Sequence, residues 1–247
     1  MKHTVLKALQ PKNYFELLLE KEKVRLNARN LSSHRDITVN ECEGSTVSVN
    51  LEGTVCLVTL AIVPNKNLMD TTPPIGLSIT GAESSHCDFL TQLINETINV
   101  QYNPESSIKV KLIIVCHVVC NKGNIETAIA ASLPMLVNKF TQETEEKMND
   151  HETPVSLELV HPCKTIKVGL IFKDKICKLE NLYILVDPDL EEENKYIDIE
   201  ILTSFIEKGG KTRTKISMHQ KNKRQITVPF KILKKIVNSC EVEASKI

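Results

Sequence analysis

Two runs of charge hold the residue types that could do chemistry. The first, Asp187-Pro188-Asp189-Leu190-Glu191-Glu192-Glu193, is continued by Asp198 and Glu200. Carboxylates at this density can hold Mg²⁺ when their oxygens converge, and they also occur in solvated loops that lead into strands. A hard cation needs directed oxygens, so residue types alone favour the loop. The second run is opposite in sign. Lys208, Lys211, Arg213, Lys215, Lys221, Lys223, Arg224, Lys231, Lys234 and Lys235 follow one another with no acid among them. Its default reading is a solvated face, and its sharper reading is an RNA-facing or partner-facing patch. Zinc-ligand types occur in Cys116-His117-x-x-Cys120 and His161-x-Cys163. On a strand, however, residues 116 and 120 share a face and His117 points the other way, while zinc takes four converging ligands. Core thiols are the better account, and neither a metal nor a cofactor is expected.

Other chemistry is missing from the sequence. None of the eight glycines builds Gly-x-Gly-x-x-Gly or a phosphate loop ending in Gly-Lys-Ser/Thr, and neither Gly-x-Ser-x-Gly nor His-Glu-x-x-His occurs. The chain of 247 residues balances 31 Lys plus Arg against 31 Asp plus Glu, for a formal charge of zero. That argues against a protein that grips nucleic acid by overall charge. With 41% hydrophobic residues, 4% aromatics and no Trp, the core must come from Val, Ile and Leu, which favours strands. No stretch of about 18 apolar residues suggests a membrane span. The eight cysteines include Cys56, Cys116, Cys120 and Cys177 in or beside β-branched runs, as expected for reduced thiols in an intracellular protein.

The elements that position these groups follow from periodicity. A helix is predicted over Pro11–Glu22, a loop over 25–35 and a strand from Asp36. A hairpin is predicted for Thr46–Leu51 and Thr54–Val63, turning at Glu52-Gly53. A loop over Pro64–Pro74 precedes a strand over Gly76–Thr80, a helix over Glu83–Ile98, and a strand over Ile108–Cys120 whose near-continuous Val/Ile content predicts burial on both faces. A helix over Ile125–Phe140 contains Pro134. After an acidic connector at 141–153, strands are predicted over 155–160, 165–172, 182–186, 197–205 and 212–218, then a closing helix over 229–240. The order predicts an α+β chain with helices packed on mixed sheets, read as a single domain over 1–247 with an N-terminal helical extension over 1–24 and two halves meeting at the connector.

Taken in order, the residues resemble a family. Arg25-Leu26-Asn27-Ala28-Arg29, followed by Arg35 and Ile37-Thr38-Val39, is similar to the Arg-Pro-Asp-Gly-Arg…Arg motif of RNase PH-like proteins. Gly44-Ser45-Thr46-Val47 running to Thr54-Val55-Cys56-Leu57-Val58 resembles that family's Gly-Ser-Ala and Asn-Thr-x-Val hairpin. Lys122-Gly123-Asn124-Ile125-Glu126-Thr127-Ala128 resembles the Asp-Gly-Asn turn before the central helix in the exosome branch. His161-Pro162, and Val186-Asp187-Pro188 followed by Glu191-Glu192-Glu193, resemble its second-half signatures.

The resemblance implies an RNase PH-like fold (ribosomal protein S5 domain 2-like) and membership of the six-subunit ring of the RNA exosome. It also implies other ring subunits, S1/KH-type cap subunits, an exosome-associated nuclease and RNA as partners, with no membrane, in the nucleus, nucleolus and cytoplasm. The departures imply a non-catalytic subunit. Glu126 falls where phosphorolytic members carry a phosphate-binding Arg, and an acid there repels phosphate. The paired Asp residues of active members are altered or displaced to Glu193 and Asp198 or Ile199, and residues 77–87 hold no Arg or Lys. Glu126, Glu193 and Asp198 therefore stand as remnants of a former active site. Arg25, Arg29, Arg35, Lys211, Arg213, Lys215, Lys223 and Arg224 are the candidate RNA or partner contacts. The competing reading is an active phosphate-dependent 3′–5′ exoribonuclease in which Asp187, Asp189, Glu193 or Asp198 holds a metal and Lys211 or Arg213 replaces the missing Arg.

Overall fold

The computed structural model describes residues 10–64, 74–103, 106, 110–147, 155–173, 182–221 and 226–245. The chain forms two compact units interleaved along the sequence. One comprises residues 1–35, 166–203 and 216–247, and the other residues 36–165 and 204–215.

The second of these units is built on a five-stranded sheet. Its strands are β1 (Ile37–Glu41), β2 (Thr46–Leu51), β3 (Thr54–Pro64), β4 (Ile75–Thr80) and β6 (Val110–Cys120), in the order β1-β2-β3-β6-β4. Glu52 and Gly53 both have positive φ, 32° and 98°, as a two-residue primed turn between β2 and β3 requires. β4 and β6 are parallel, and the α2 helix (Cys87–Thr97) lies on the connection between them. The α3 helix (Ile125–Lys147) packs on β2 and β3. β5 (Ile98–Tyr102) pairs with β7 (Val155–Leu159) as a separate ribbon.

Several expectations need correction here. β6 is not buried on both faces: Val110, Leu112, Ile114, Cys116 and Val118 are buried, while the intervening residues are half-buried or exposed. Its continuous apolar run therefore does not mark a doubly covered strand, because helices cover only one side of an antiparallel-rich sheet. The connector predicted at 141–153 is helical up to Lys147, since acidic residues with good helix propensity extend α3 beyond its apolar face; residues 148–153 lie outside those described. Nor do the compact units divide at that stretch. β5 was hidden by the apolar helix pattern that ends at Ile98, although Ile98, Val100 and Tyr102 alternate with period two.

The first unit holds the α1 helix (Pro11–Leu17), which continues as a π-helical turn over Leu18–Glu22. Pro11 occupies a first-turn position where its missing N–H costs nothing. It also holds β9 (Leu182–Val186), the α4 helix (Leu190–Lys195), the α5 helix (Phe230–Ala244), and much of β8 (Cys163–Phe172), β10 (Ile199–Lys208) and β11 (Lys211–Gln220). The sheet order is β11-β10-β8-β9. Phe15 and Leu19 pack with Ile171, Leu185, Tyr196 and Ile197, and the Phe15 and Tyr196 ring centroids are 4.4 Å apart. Burial pushes the Cys240 thiol up to about 11, which keeps it protonated like any other core group.

Candidate functional site

The acidic run is not a solvated loop. Asp187 and Glu192 are fully buried, Glu193 is 6% exposed, and residues 190–195 form α4. Asp189 caps that helix: its carboxylate accepts from the Glu192 N–H, and the Glu192 carboxylate accepts from the Asp189 N–H, a reciprocal box that satisfies two otherwise unpaired donors. The sequence signal was present in Asp189-x-x-Glu192, but a run of like charges masked it. Residue types alone could not show that enough cation would be folded against the run to bury it.

That cation comes from the N-terminal arginine motif. Arg25 is 1% exposed. Its Nε donates to Glu192 Oε1 at 2.8 Å, one terminal nitrogen donates to the Val186 carbonyl at 2.7 Å, and the other donates to the Asp187 carbonyl at 2.9 Å and to Glu192 Oε2. Arg35 grips Asp187 with both Nε and a terminal nitrogen at 2.8 Å, and its own backbone N–H donates to the same carboxylate at 2.8 Å. Arg29 reaches Asp187 at 3.0 Å from the side. Burial works against the charge of Arg35, but the hydrogen bond and attraction from Asp187 outweigh it and raise its pKa. Burial, helped by neighbouring Arg25, pushes Arg29 down from the ordinary guanidinium value. Asp187 itself adopts a left-handed backbone, φ 50°, which an Asp tolerates better than most residues.

Placing Arg25 and Arg35 among RNA or partner contacts is therefore corrected: their donors are engaged inside the unit, and neither group reaches a surface. Ala28 has φ 63°, the left-handed region that suits the Gly of the motif it resembles, while Asn27 still accepts the Arg29 N–H through its side chain at 3.1 Å. Ala28→Gly is expected to raise stability by up to about 1 kcal/mol, the left-handed strain relieved less the added chain entropy. A urea midpoint for the variant at or below that of the parent would refute this.

Glu193 and Asp198 make separate structural contacts. Lys167, the lone ionisable residue within the apolar run of β8, is 3% exposed and sits 2.8 Å from Glu193 and 3.6 Å from Glu200. Lys221 lies 2.6 Å from Glu200 and also donates to the Glu193 carbonyl at 2.8 Å. Lys167 thus offsets Glu193 and Glu200 from within, while Lys221 meets Glu200 from the exposed edge. Asp198 instead accepts the Phe172 N–H at 2.9 Å. Among the described residues, no group of His, Cys, Asp or Glu is arranged to hold a metal ion. Lys167 could have been suspected from sequence, because a cation inside an apolar strand implies a buried acid.

Glu126 lies in the other unit, in the first turn of α3 and 1% exposed, where Ser84 donates to it at 2.7 Å. A helix N-terminus favours an anion, and here the chain supplies its own. Lys211 and Arg213 are exposed on β11, and Lys215 pairs with Glu96. Lys223 and Arg224 lie outside the described residues.

No protein-family model matches the chain, and no curated protein matches it in sequence. Solved structures do match. A chain of an archaeal exosome core aligns at 13% identity with a TM-score of 0.63, covering 100% of this chain and 99% of that one. A chain of the Archaeoglobus fulgidus exosome with RNA bound to the active site aligns at 13% identity with a TM-score of 0.62, covering 95% of both. Rice (Oryza sativa) Rrp46 aligns at 13% identity with a TM-score of 0.51, covering 90% of this chain and 95% of that one. The chain has the RNase PH-like α+β fold of these proteins.

Proposed function

We propose that this chain is a non-catalytic structural subunit of an RNase PH-like exosome ring. In that role it completes the hexamer, forms part of the RNA path, and helps dock cap and nuclease subunits for 3′–5′ RNA processing in nucleus, nucleolus and cytoplasm. The observation that carries the reading is the end-to-end structural likeness to exosome core chains, 95% to 100% of this chain at TM-scores above 0.6. The non-catalytic part is supported by charge. Phosphorolysis needs cations aimed at the attacking phosphate and the transferred group. Glu126 instead places an anion at the start of α3, and Glu193 is neutralised by Lys167.

Two measurements test this. Tagged chain expressed in its own cells is expected to co-purify stoichiometrically with other RNase PH-like chains, and recovery as a lone monomer would overturn the ring assignment. Incubated with 3′-tailed RNA and inorganic phosphate, the chain and its assembly with non-nucleolytic ring partners are expected to release no nucleoside diphosphate. Release that disappears in Glu193→Gln or Asp198→Asn would make it an active phosphorolytic exoribonuclease.

A further inference from the structure

The first turn of α5 breaks two local rules at once. Phe230 opens the helix with 78% of its surface exposed, although the helix is held by a different stripe: Ile232, Ile236, Cys240 and Ala244 are all buried. Lys231, Lys234 and Lys235 are exposed, the first turn contains no acid, and none of the three has an ion-pair partner among the described residues. Lys231, in the first turn, faces the positive pole of the helix dipole, so its placement opposes helix stability. A large apolar ring left in water likewise gains nothing from folding. Conflicts of this kind, uncompensated within the fold, mark positions kept for another purpose.

The geometry places the four side chains in one sector. At about 100° per residue, Lys234, Lys231 and Lys235 fall at roughly 40°, 100° and 140° from Phe230 around the helix axis. The patch ends a stretch from Lys208 to Lys235 that has no carboxylate.

We propose that the first two turns of α5 are a contact site for single-stranded RNA, with the Phe230 ring stacking on a base and Lys231, Lys234 and Lys235 meeting the adjoining phosphates. A single strand supplies both groups the site needs, a π face of any sequence and a line of negative charge. An acidic protein segment would answer the lysines but would leave the exposed ring facing carboxylates. The site uses none of the residues of the basic strand β11 and requires no neighbouring subunit, so it stands or falls separately from the ring assignment.

The test uses the full chain and a fluorescent oligoadenylate of about 12 nucleotides, long enough for one such platform. Anisotropy titrations run between about 50 and 200 mM salt. Phe230→Ala is expected to weaken binding about 5- to 10-fold without changing the salt dependence, and Phe230→Trp to preserve binding. The combined Lys231→Ala, Lys234→Ala, Lys235→Ala variant is expected to weaken binding and reduce the slope of log affinity against log salt by about 2, from three lost contacts to a single strand. Circular dichroism melts identical to the parent confirm that each variant is folded, and if Phe230→Ala alone fails to fold, Phe230→Trp and the lysine variant decide. Parental affinity and slope in both the Phe230→Ala and lysine variants overturn the proposal. So does RNA binding that ignores Phe230→Ala and is displaced equally by polyglutamate, which identifies an acidic protein partner instead.

Discussion

Asp187→Ala is expected to destabilise the arginine-bearing unit by about 3–5 kcal/mol, the usual cost of removing one partner from a buried ion pair. Asp187 is fully buried and accepts three hydrogen bonds from Arg35 and one from Arg29 through its carboxylate. Alanine keeps the peptide carbonyl, which still accepts from Arg25 and Arg29. It removes the carboxylate that Arg35 grips through Nε and a terminal nitrogen, and Arg35, 5% exposed, cannot swing into water without opening the loop. For a chain of this length the melting temperature should fall by about 8–15 °C. Asp187→Asn keeps the shape and loses the charge, so it should recover less than half of the loss. A shift below about 1 kcal/mol for Asp187→Ala would mean that water reaches Arg35 and that Asp187 is not the hub.

The second large effect is a coupling. Arg25→Met leaves Glu192 buried without its cation and is expected to cost about 3–4 kcal/mol. Glu192→Met leaves Arg25 similarly stranded and also breaks the box that caps α4. The double variant removes both charges together, so its cost should fall short of the sum of the singles by at least about 2 kcal/mol. Urea denaturation of the four proteins in the cycle measures this directly. Additive costs would show that Arg25 acts through its bonds to the Val186 and Asp187 carbonyls rather than through Glu192.

The long-range ion pairs behind both expectations also made the site only partly legible. Strands with period-two or continuous apolar patterns, the Glu52-Gly53 turn and the amphipathic helices were readable because each depends on neighbours within a few residues. The α4 helix was not, since its six residues carry four charges and no apolar periodicity. Its stability comes from the Asp189–Glu192 box and from Arg25, which is 167 positions away from Glu192. The Asp187–Arg35 pair spans 152 positions, and no local pattern encodes a pairing at that separation.

The sequence by itself determined the α+β class, most strands, and a net charge of zero divided into an acidic run and a basic run. Only the tertiary structure decided what those runs are for. The acidic run is neutralised by Arg25, Arg29, Arg35, Lys167 and Lys221, which makes it a structural centre and not a loop in solvent. In the basic run, Lys231, Lys234 and Lys235 remain exposed beside Phe230. The physical reason is desolvation. Burying a charge costs so much that the fold must bring a counter-charge to it, and which charges receive one is settled by three-dimensional proximity, not by order along the chain.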